Sequence, residues 1–281
     1  MHLIDLGILK KMLTAMSKNK IIGYSVNVTK INNQLAALSK NCPSEFSRTI
    51  RTLEDLALWK ATEFRQFLLY TGIVVLKGSV HEDIYYHFLL LHSFIRLLSC
   101  KNSCQQNSDV AGEMLKEFVK IFPSLYGKEQ LSFNVHCLLH LPGGVAQFGT
   151  LDSFSAYKFE NYMQYLKRLI RKPNKILQQL HRRLKEINTA KYIPQLSKFN
   201  AFDINFESDH NSYCCIKGNP MKIVGFGKIE NRDTVFGFLF NTVSDYFHEP
   251  VKSSSALGIV TCSKNYNTEL NTFFKEEILY K

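Results

Sequence analysis

Apolar residues recur every three or four positions through the first two-thirds of the chain, which is the pattern of amphipathic helices. The pattern predicts four helices in this region: 3–12, 53–70, 82–99 and 108–121. Gly72 is predicted to end the second helix, because glycine is common just past a helix C-terminus. The fourth helix is predicted to end before Pro123, because proline interrupts helical hydrogen bonding.

The pattern changes in the last third of the chain. Short runs rich in β-branched and aromatic residues, MKIVGFGKI, DTVFGFLF and ALGIVTC, are separated by Gly, Asn, Asp, Pro and Ser. They predict a small antiparallel β domain, with a hairpin turn around Asn231 to Asp233. The predicted fold class is therefore α+β, with a helical region over 1–195, a β-rich accessory domain over 196–281 and a boundary near 194–202.

Positive charge is concentrated in one segment of the chain, residues 158–191. The chain carries a net charge of +11, and residues 158–191 alone hold ten Lys or Arg against two Glu. Such a concentration favours an anionic partner, nucleic acid before membrane, although a solvated lysine-rich surface is the alternative. The candidate nucleic-acid-binding residues are Lys167, Arg168, Arg171, Lys172, Lys175, Arg182, Arg183 and Lys185.

The distribution of cysteines and the hydropathy of the chain predict an intracellular protein that does not span a membrane. Seven cysteines are scattered without an even framework, which favours reduced thiols in an intracellular compartment. No apolar run is long enough to cross a bilayer, so no membrane is expected as a partner. Nucleus and cytoplasm are both compatible with these features.

Two groups of residues around 136–160 carry candidate chemistry. His136 and His140 are four apart, a spacing that suits two zinc ligands on one helix face, but also two partly buried, hydrogen-bonded histidines.

Glu160 opens a predicted helix whose apolar face is Phe159, Tyr162, Met163, Leu166 and Ile170. A carboxylate in a first turn beside cations could hold a metal, but it is also what a favourable interaction with the helix dipole predicts. Glu63 is the competing acid, with an ion pair to Arg65 or Lys60 on a solvated face as its alternative.

Four blocks in order are more specific than composition: WKATEFRQFLLYTGIVVLKG (59–78), NVHCLLHL (134–141), FSAYKFENYMQYLKRLIRKP (154–173) and SSSALGIV (253–260). Together they resemble the C-terminal half of transposases of the CACTA (En/Spm-like) kind, and in particular transposase-domain proteins of invertebrates. The resemblance covers nearly the whole chain.

The resemblance implies DNA cleavage and strand transfer by an RNase H-like core, in which three acidic residues hold Mg²⁺ or Mn²⁺. Glu160, with Glu63 as the alternative, matches the third acid. The opening MHLIDLGILKKML is similar to a family string that follows the core strands, so the two catalytic aspartates are expected upstream of Met1. Residues 1–195 would then be a helical insertion and the end of a truncated core. The resemblance also implies a structural zinc site in which His2 joins His136 and His140, with a fourth ligand upstream.

Three functions follow from the sequence. The first is a nuclear, transposon-derived DNA-binding protein, a remnant of a DDE-type transposase without cleavage activity of its own. The second is the C-terminal half of an active metal-dependent DNA transposase or nuclease whose start is assigned too late. The third is a domesticated scaffold that binds protein or RNA. DNA is the predicted partner, and a homo-oligomer is a second predicted assembly.

Overall fold

A computed structural model describes residues 2–189, 211–216, 218–230, 232–263, 265–267, 269–274 and 278–280. The chain is α+β, as the sequence predicts: helices fill the first two-thirds and an antiparallel sheet follows. The predicted domain boundary near 194–202 lies outside the described residues. Residues 2–189 contain helices, turns and one isolated bridge between Ile21 and Tyr24, so an RNase H-like strand core stays a prediction.

Ten helices, α1 to α10, are described. Helix α1 begins as a π-helix, His2–Leu9, and continues as an α-helix, Lys10–Ser17. Helix α3 joins Ala61–Gln66, a π-helical Phe67–Thr71 and Gly72–Leu76. The others are α2 (Val28–Ser39), α4 (Glu82–Ser99), α5 (Ser108–Tyr126), α6 (Phe133–Cys137), α7 (Leu141–Phe148), α8 (Tyr157–Leu169), α9 (Ile176–Thr189) and α10 (Ser253–Leu257). Short 3₁₀ turns lie at Leu53–Leu58, Lys128–Gln130 and Leu138–His140.

Two predicted helix ends are wrong. Helix α3 does not stop at Gly72 but runs through it to Leu76. A Cβ on Gly72 would lie 2.5 Å from Cζ of Phe88 on α4, so this glycine provides close helix packing rather than a helix end. Helix α5 continues past Pro123 to Tyr126, because Phe122, Leu125 and Tyr126 are all buried and hold the last turn against the core.

The core of the helical region is built around α4. Helix α4 packs along α5, and the side chains of Phe88, Phe94 and Leu98 on α4 have no exposed surface. His87 and His92 are buried on the same helix, where one ring nitrogen of each lies within hydrogen-bond distance of a carbonyl, 3.0 Å from Phe118 O and 2.7 Å from Leu68 O. Burial on this scale gives α4 the role of the central helix.

The sheet has five strands in the order β6-β3-β2-β1-β7, and every described pairing is antiparallel. Its strands are β1 (Tyr213–Ile216), β2 (Asn219–Ile229), β3 (Arg232–Leu239), β6 (Asn271–Phe274) and β7 (Ile278–Tyr280). A separate pair joins β4 (Val243–Asp245) to β5 (Val260–Cys262). The hairpin turn lies between Ile229 and Arg232, earlier than predicted, and the predicted run ALGIVTC divides between α10 and β5.

Part of the C-terminal region packs on the helical core. Phe247 and Leu257 belong to the same buried cluster as the residues of α4 and α5. Lys77 Nζ donates to the carbonyl of Tyr246 at 2.7 Å, and Arg96 Nε donates to the carbonyl of Leu257 at 3.1 Å. The sheet has its own smaller apolar cluster of Cys214, Ile216, Met221, Ile223 and Val235.

Candidate functional site

Helix α8 brings Glu160 to the beginning of the chain. His2 Nε2 lies 3.3 Å from Glu160 Oε1, and both side chains are more than half exposed. Glu160 is in the first turn of α8, as the sequence predicts. A contact this exposed adds little stability, so it does not anchor the helix.

The anchor lies one turn earlier, at Tyr157. Its hydroxyl donates to Asp5 Oδ2 at 2.6 Å, and Asp5 is buried in α1. Burial raises the pKa of the Asp5 carboxyl, although the hydrogen bond from Tyr157 opposes the rise. Burial and the nearby Asp5 charge in turn raise the pKa of Tyr157. Sequence reasoning missed this pair, whose signal was an aspartate at an otherwise apolar position of the first helix.

A second charged pair borders Tyr157. Arg65 Nη2 lies 2.8 Å and 3.0 Å from the two carboxylate oxygens of Asp152, and its guanidinium carbon lies 5.6 Å from the Tyr157 ring centroid. Asp5, Arg65 and Asp152 line a cavity of about 280 Å³. A second cleft, of about 630 Å³, is lined by Tyr157, His2, Glu160 and the cations Arg48 and Lys60.

The predicted zinc ligands are not gathered into one group. The rings of His136 and His140 lie edge to face, 5.2 Å apart, while His2 pairs with Glu160. Both His136 and His140 are exposed, so the alternative of two partly buried histidines is wrong. In the part of the chain that the structure describes, no group of three or more His, Cys, Asp or Glu is placed to hold a metal ion. Zinc at His2, His136 and His140, and Mg²⁺ or Mn²⁺ at Glu160, therefore stay predictions.

Glu63 has a structural partner that the sequence did not suggest. Its carboxylate accepts hydrogen bonds from Arg51 at 2.7 and 2.9 Å and from the backbone N–H of Lys60 at 2.8 Å. Glu63 is buried, so the expected ion pair with Arg65 or Lys60 on a solvated face is wrong. Although burial favours the neutral acid, these hydrogen bonds hold the pKa of Glu63 below its usual value.

The predicted basic residues all lie on α8, α9 and the turn between them, a segment we call the basic arm. Its members are Lys167, Arg168, Arg171, Lys172, Lys175, Arg182, Arg183 and Lys185. All are exposed except the half-buried Arg183. Arg182 and Arg183 each lie 3.0 Å from a carboxylate oxygen of Glu186, while the first five make no ion pair within the described residues.

The side chain of Gln179 forms hydrogen bonds with the backbone of the turn in the basic arm. Gln179 Oε1 accepts from the backbone N–H groups of Arg171 and Lys172, both at 3.2 Å, and its Nε2 donates to the carbonyl of Lys172 at 2.9 Å. An amide that bonds the turn at both ends fixes the approach of α9 to α8. Arg171, Lys172 and Lys175 are thereby presented on an ordered turn rather than on a free loop.

The apolar face predicted for α8 is largely solvent-exposed. Phe159, Tyr162 and Met163 are each at least half exposed, and α8 has no buried residue. Leu177 on α9 is 76% exposed. The helical periodicity was correct, but tertiary packing covers this face much less than it covers α4.

A further group of lysines was not singled out from the sequence. Lys10, Lys11, Lys18 and Lys20 line a cleft of about 610 Å³. Lys11 is held in place, because its Nζ donates to Gln130 O at 3.1 Å and to Ser132 Oγ at 3.2 Å. The signal in the sequence was the occurrence of four lysines within the eleven residues 10–20.

Comparison with known proteins gives this chain no family. No protein-family model, curated protein or solved structure matches it. Among the described helices, none is both long and apolar enough to cross a bilayer.

Proposed function

We propose that this chain is a transposon-derived nuclear protein that binds double-stranded DNA through the basic arm and does not cut DNA by itself. The observation that carries the proposal is the exposure of seven of the eight predicted cations on one helical pair and its turn. The order of the four sequence blocks that resemble CACTA transposases supports the transposon origin.

The electrostatics of the basic arm favour contacts to phosphates. Lys167, Arg168 and Arg171 occupy one end of α8 and the turn that follows it, and no described acid pairs with them. Arginine guanidinium groups bind phosphate oxygens in a fork, and such contacts fix position without reading base sequence. Binding should therefore be strong at low salt and nearly independent of sequence.

Binding rather than cutting is supported by the surroundings of Glu160. Two-metal phosphoryl transfer needs several carboxylates around a pair of cations. Glu160 instead pairs with His2, and the buried carboxylate of Asp5 accepts a hydrogen bond from Tyr157. The alternative in which Glu160 completes a catalytic carboxylate set in a longer transposase predicts Mg²⁺- or Mn²⁺-dependent cleavage by that longer chain.

A triple-alanine variant tests the proposal. Lys167, Arg168 and Arg171 are changed together, and the affinity for a fluorescent 20-base-pair duplex is measured by anisotropy at 100 mM salt. We expect affinity to fall about tenfold or more, because three phosphate contacts are lost. The matched control replaces Lys101, Lys120 and Lys128, three exposed lysines elsewhere on the surface, and removes the same charge. Equal losses in both variants would reduce the effect to net charge and refute the arm as the site.

A second candidate function is a scaffold that binds a protein partner. The exposed apolar face of α8, with Phe159, Tyr162 and Met163, is the observation that favours it. A second copy of the chain on this face would form the predicted homo-oligomer. Sedimentation velocity of the wild type against a Phe159→Ser/Met163→Ser variant tests this assembly: a shift to monomer in the variant supports it, and a monomeric wild type refutes it.

A further inference from the structure

One face of the five-stranded sheet presents aromatic rings instead of a solvated polar surface. Tyr213 on β1, Lys222 on β2 and Phe238 on β3 are direct cross-strand partners, so their side chains share one face. Phe236 lies two residues before Phe238 on β3 and therefore points to the same side. Phe240 and Tyr266 join the group through ring contacts. The aromatic face is defined by Tyr213, Lys222, Phe236, Phe238, Phe240 and Tyr266.

The opposite face of the same strands is the apolar core of the sheet. Cys214 and Met221 are neighbours in register on that side, and both are buried. Ile223 and Val235 belong to the same buried cluster. The apolar core of the sheet therefore lies on the face opposite the aromatic rings, and these rings are available for contacts outside the core.

Four of the five rings of the aromatic face contact one another, and a lysine lies near two of them. The Phe240 ring centroid lies 6.2 Å from that of Tyr213 and 5.2 Å from that of Tyr266. Lys222 Nζ lies 5.8 Å from the Tyr213 centroid and 5.6 Å from the Tyr266 centroid. Tyr213 and Tyr266 are more than a third exposed, and the phenylalanines are half-buried. The tyrosine rings thus offer open surface on a rigid base.

Glycines on β2 lie beside the Phe236 ring. Gly225 lies opposite Phe236 in register, and a Cβ on Gly227 would lie 2.9 Å from Cε2 of Phe236. A side chain at Gly227 would displace the Phe236 ring, whereas a Cβ at Gly225 would only touch it, 4.0 Å from Cδ2. The glycine at position 227 therefore leaves room for the Phe236 ring over β2.

The charge of this face is positive. Besides Lys222, Arg232 contributes a guanidinium carbon 3.7 Å from the Phe274 ring centroid. Asp233 is the one acid in the described residues of β1, β2, β3 and β6; it is a register partner of Lys228, and their charged atoms are 3.8 Å apart. Strand alternation puts Asp233 on the side opposite Arg232. Aromatic rings and two cations on the same face complement a flexible polyanion that carries aromatic groups.

We infer that the aromatic face is a binding platform for single-stranded nucleic acid. Bases stack on Tyr213 and Tyr266, and Lys222, which lies near both rings, neutralises a neighbouring phosphate. Arg232, six residues before Phe238 on β3, contacts phosphates farther along the strand. Stacking of this kind tolerates any base sequence, because every base offers a π-face. The inference uses residues outside the basic arm and a ligand without base pairing, so it goes beyond the binding of duplex DNA and stands or fails separately.

The test is the anisotropy of fluorescent 20-nucleotide strands with the full chain. Wild-type protein should bind oligo-dT or oligo-U at least tenfold more tightly than an abasic strand of equal length and charge, because the abasic strand keeps the phosphates but lacks the stacking groups. The DNA and RNA strands show which sugar is preferred. Equal affinity for the abasic strand, or no binding of either base-containing strand, overturns the inference.

Matched variants assign the effect to these rings. Tyr213→Leu/Tyr266→Leu should lose about tenfold or more of the oligo-dT affinity, while Tyr213→Phe/Tyr266→Phe should retain it, because the rings remain. Tyr70→Leu, at an exposed tyrosine of α3, is the control and should bind normally. Far-ultraviolet circular dichroism verifies folding of each variant. An unchanged oligo-dT affinity in the folded double-leucine variant contradicts the inference, whatever the basic-arm variant does to duplex binding.

Discussion

Glu63 and Arg51 carry a stabilising role at the scale of single residues. We expect Arg51→Ala to lower the free energy of unfolding by about 2 to 4 kcal/mol, because the buried Glu63 carboxylate loses two hydrogen bonds and its counter-charge. Urea denaturation measures the change. Lys116→Ala is the control, since the Lys116–Glu113 pair is exposed to solvent and its loss should leave the free energy of unfolding almost unchanged. Equal costs for the two variants would contradict a structural role for Glu63.

The buried histidines of α4 predict a pH dependence of stability. Burial lowers the pKa of His87 and His92 from 6.5 to about 4. Between these values the unfolded chain binds more protons than the folded chain, so stability is lost as pH falls from 6.5 toward 4. The raised pKa of Asp5 favours the folded chain as pH falls, but it is one group against two histidines.

The measurement is urea unfolding at pH 6.5 and pH 5.0, a window above the ordinary carboxyl range. The free energy of unfolding should fall by an amount on the order of 2 to 4 kcal/mol. A variant with His87→Gln and His92→Gln, if folded, should show a smaller fall. Constant stability across the window would contradict neutral, buried histidines.

Sequence reasoning at this scale found residue types and positions but not long-range partners. The position of Glu160 in a first helical turn followed from local pattern, whereas its contact with His2 depends on packing between distant segments. The same holds for Glu63, because Arg51 lies on a separate segment before the 3₁₀ turn. Partners separated by tertiary folding leave no periodic signal.

At the scale of elements, two glycines in helices predict opposite effects of one substitution. Gly72→Ala should destabilise the chain by about 1 to 3 kcal/mol, because the new methyl group meets Phe88 Cζ and Phe67 Cε1 within 2.7 Å. Gly143→Ala, inside α7 with no atom within 4 Å of the new Cβ, should stabilise it by about 0.5 to 1 kcal/mol. Thermal unfolding compares the two variants with the wild type, and the same sign for both would refute this difference in packing.

Hydrophobic periodicity predicted some element bounds correctly and others wrongly. Helix α4 has the predicted bounds, 82–99, because its apolar pattern is strong and its flanks are polar. Gly72 and Pro123 were interpreted as helix ends by local rules, but close packing and burial overrode those rules. The aromatic face likewise depends on the register between β2 and β3, which cannot be deduced from the amino-acid sequence of these strands alone.

At the scale of the whole molecule, the α+β class was predictable because helical and strand periods occupy different parts of the chain. The contact of Phe247 and Leu257 with the helical core was not, since both lie in short segments without a clear period. The clustering of cations at 158–191 was evident in the sequence, and the fold presents those on α8 and α9 as an exposed surface.

The salt dependence of duplex binding tests the central claim most directly. If the basic arm neutralises six to eight phosphates, the logarithm of Kobs should fall against the logarithm of salt concentration with a slope of about −5 to −7. The variant with alanine at Lys167, Arg168 and Arg171 should have a slope shallower by about 3. A wild-type slope near zero, or the same slope in both proteins, would contradict DNA binding by the basic arm.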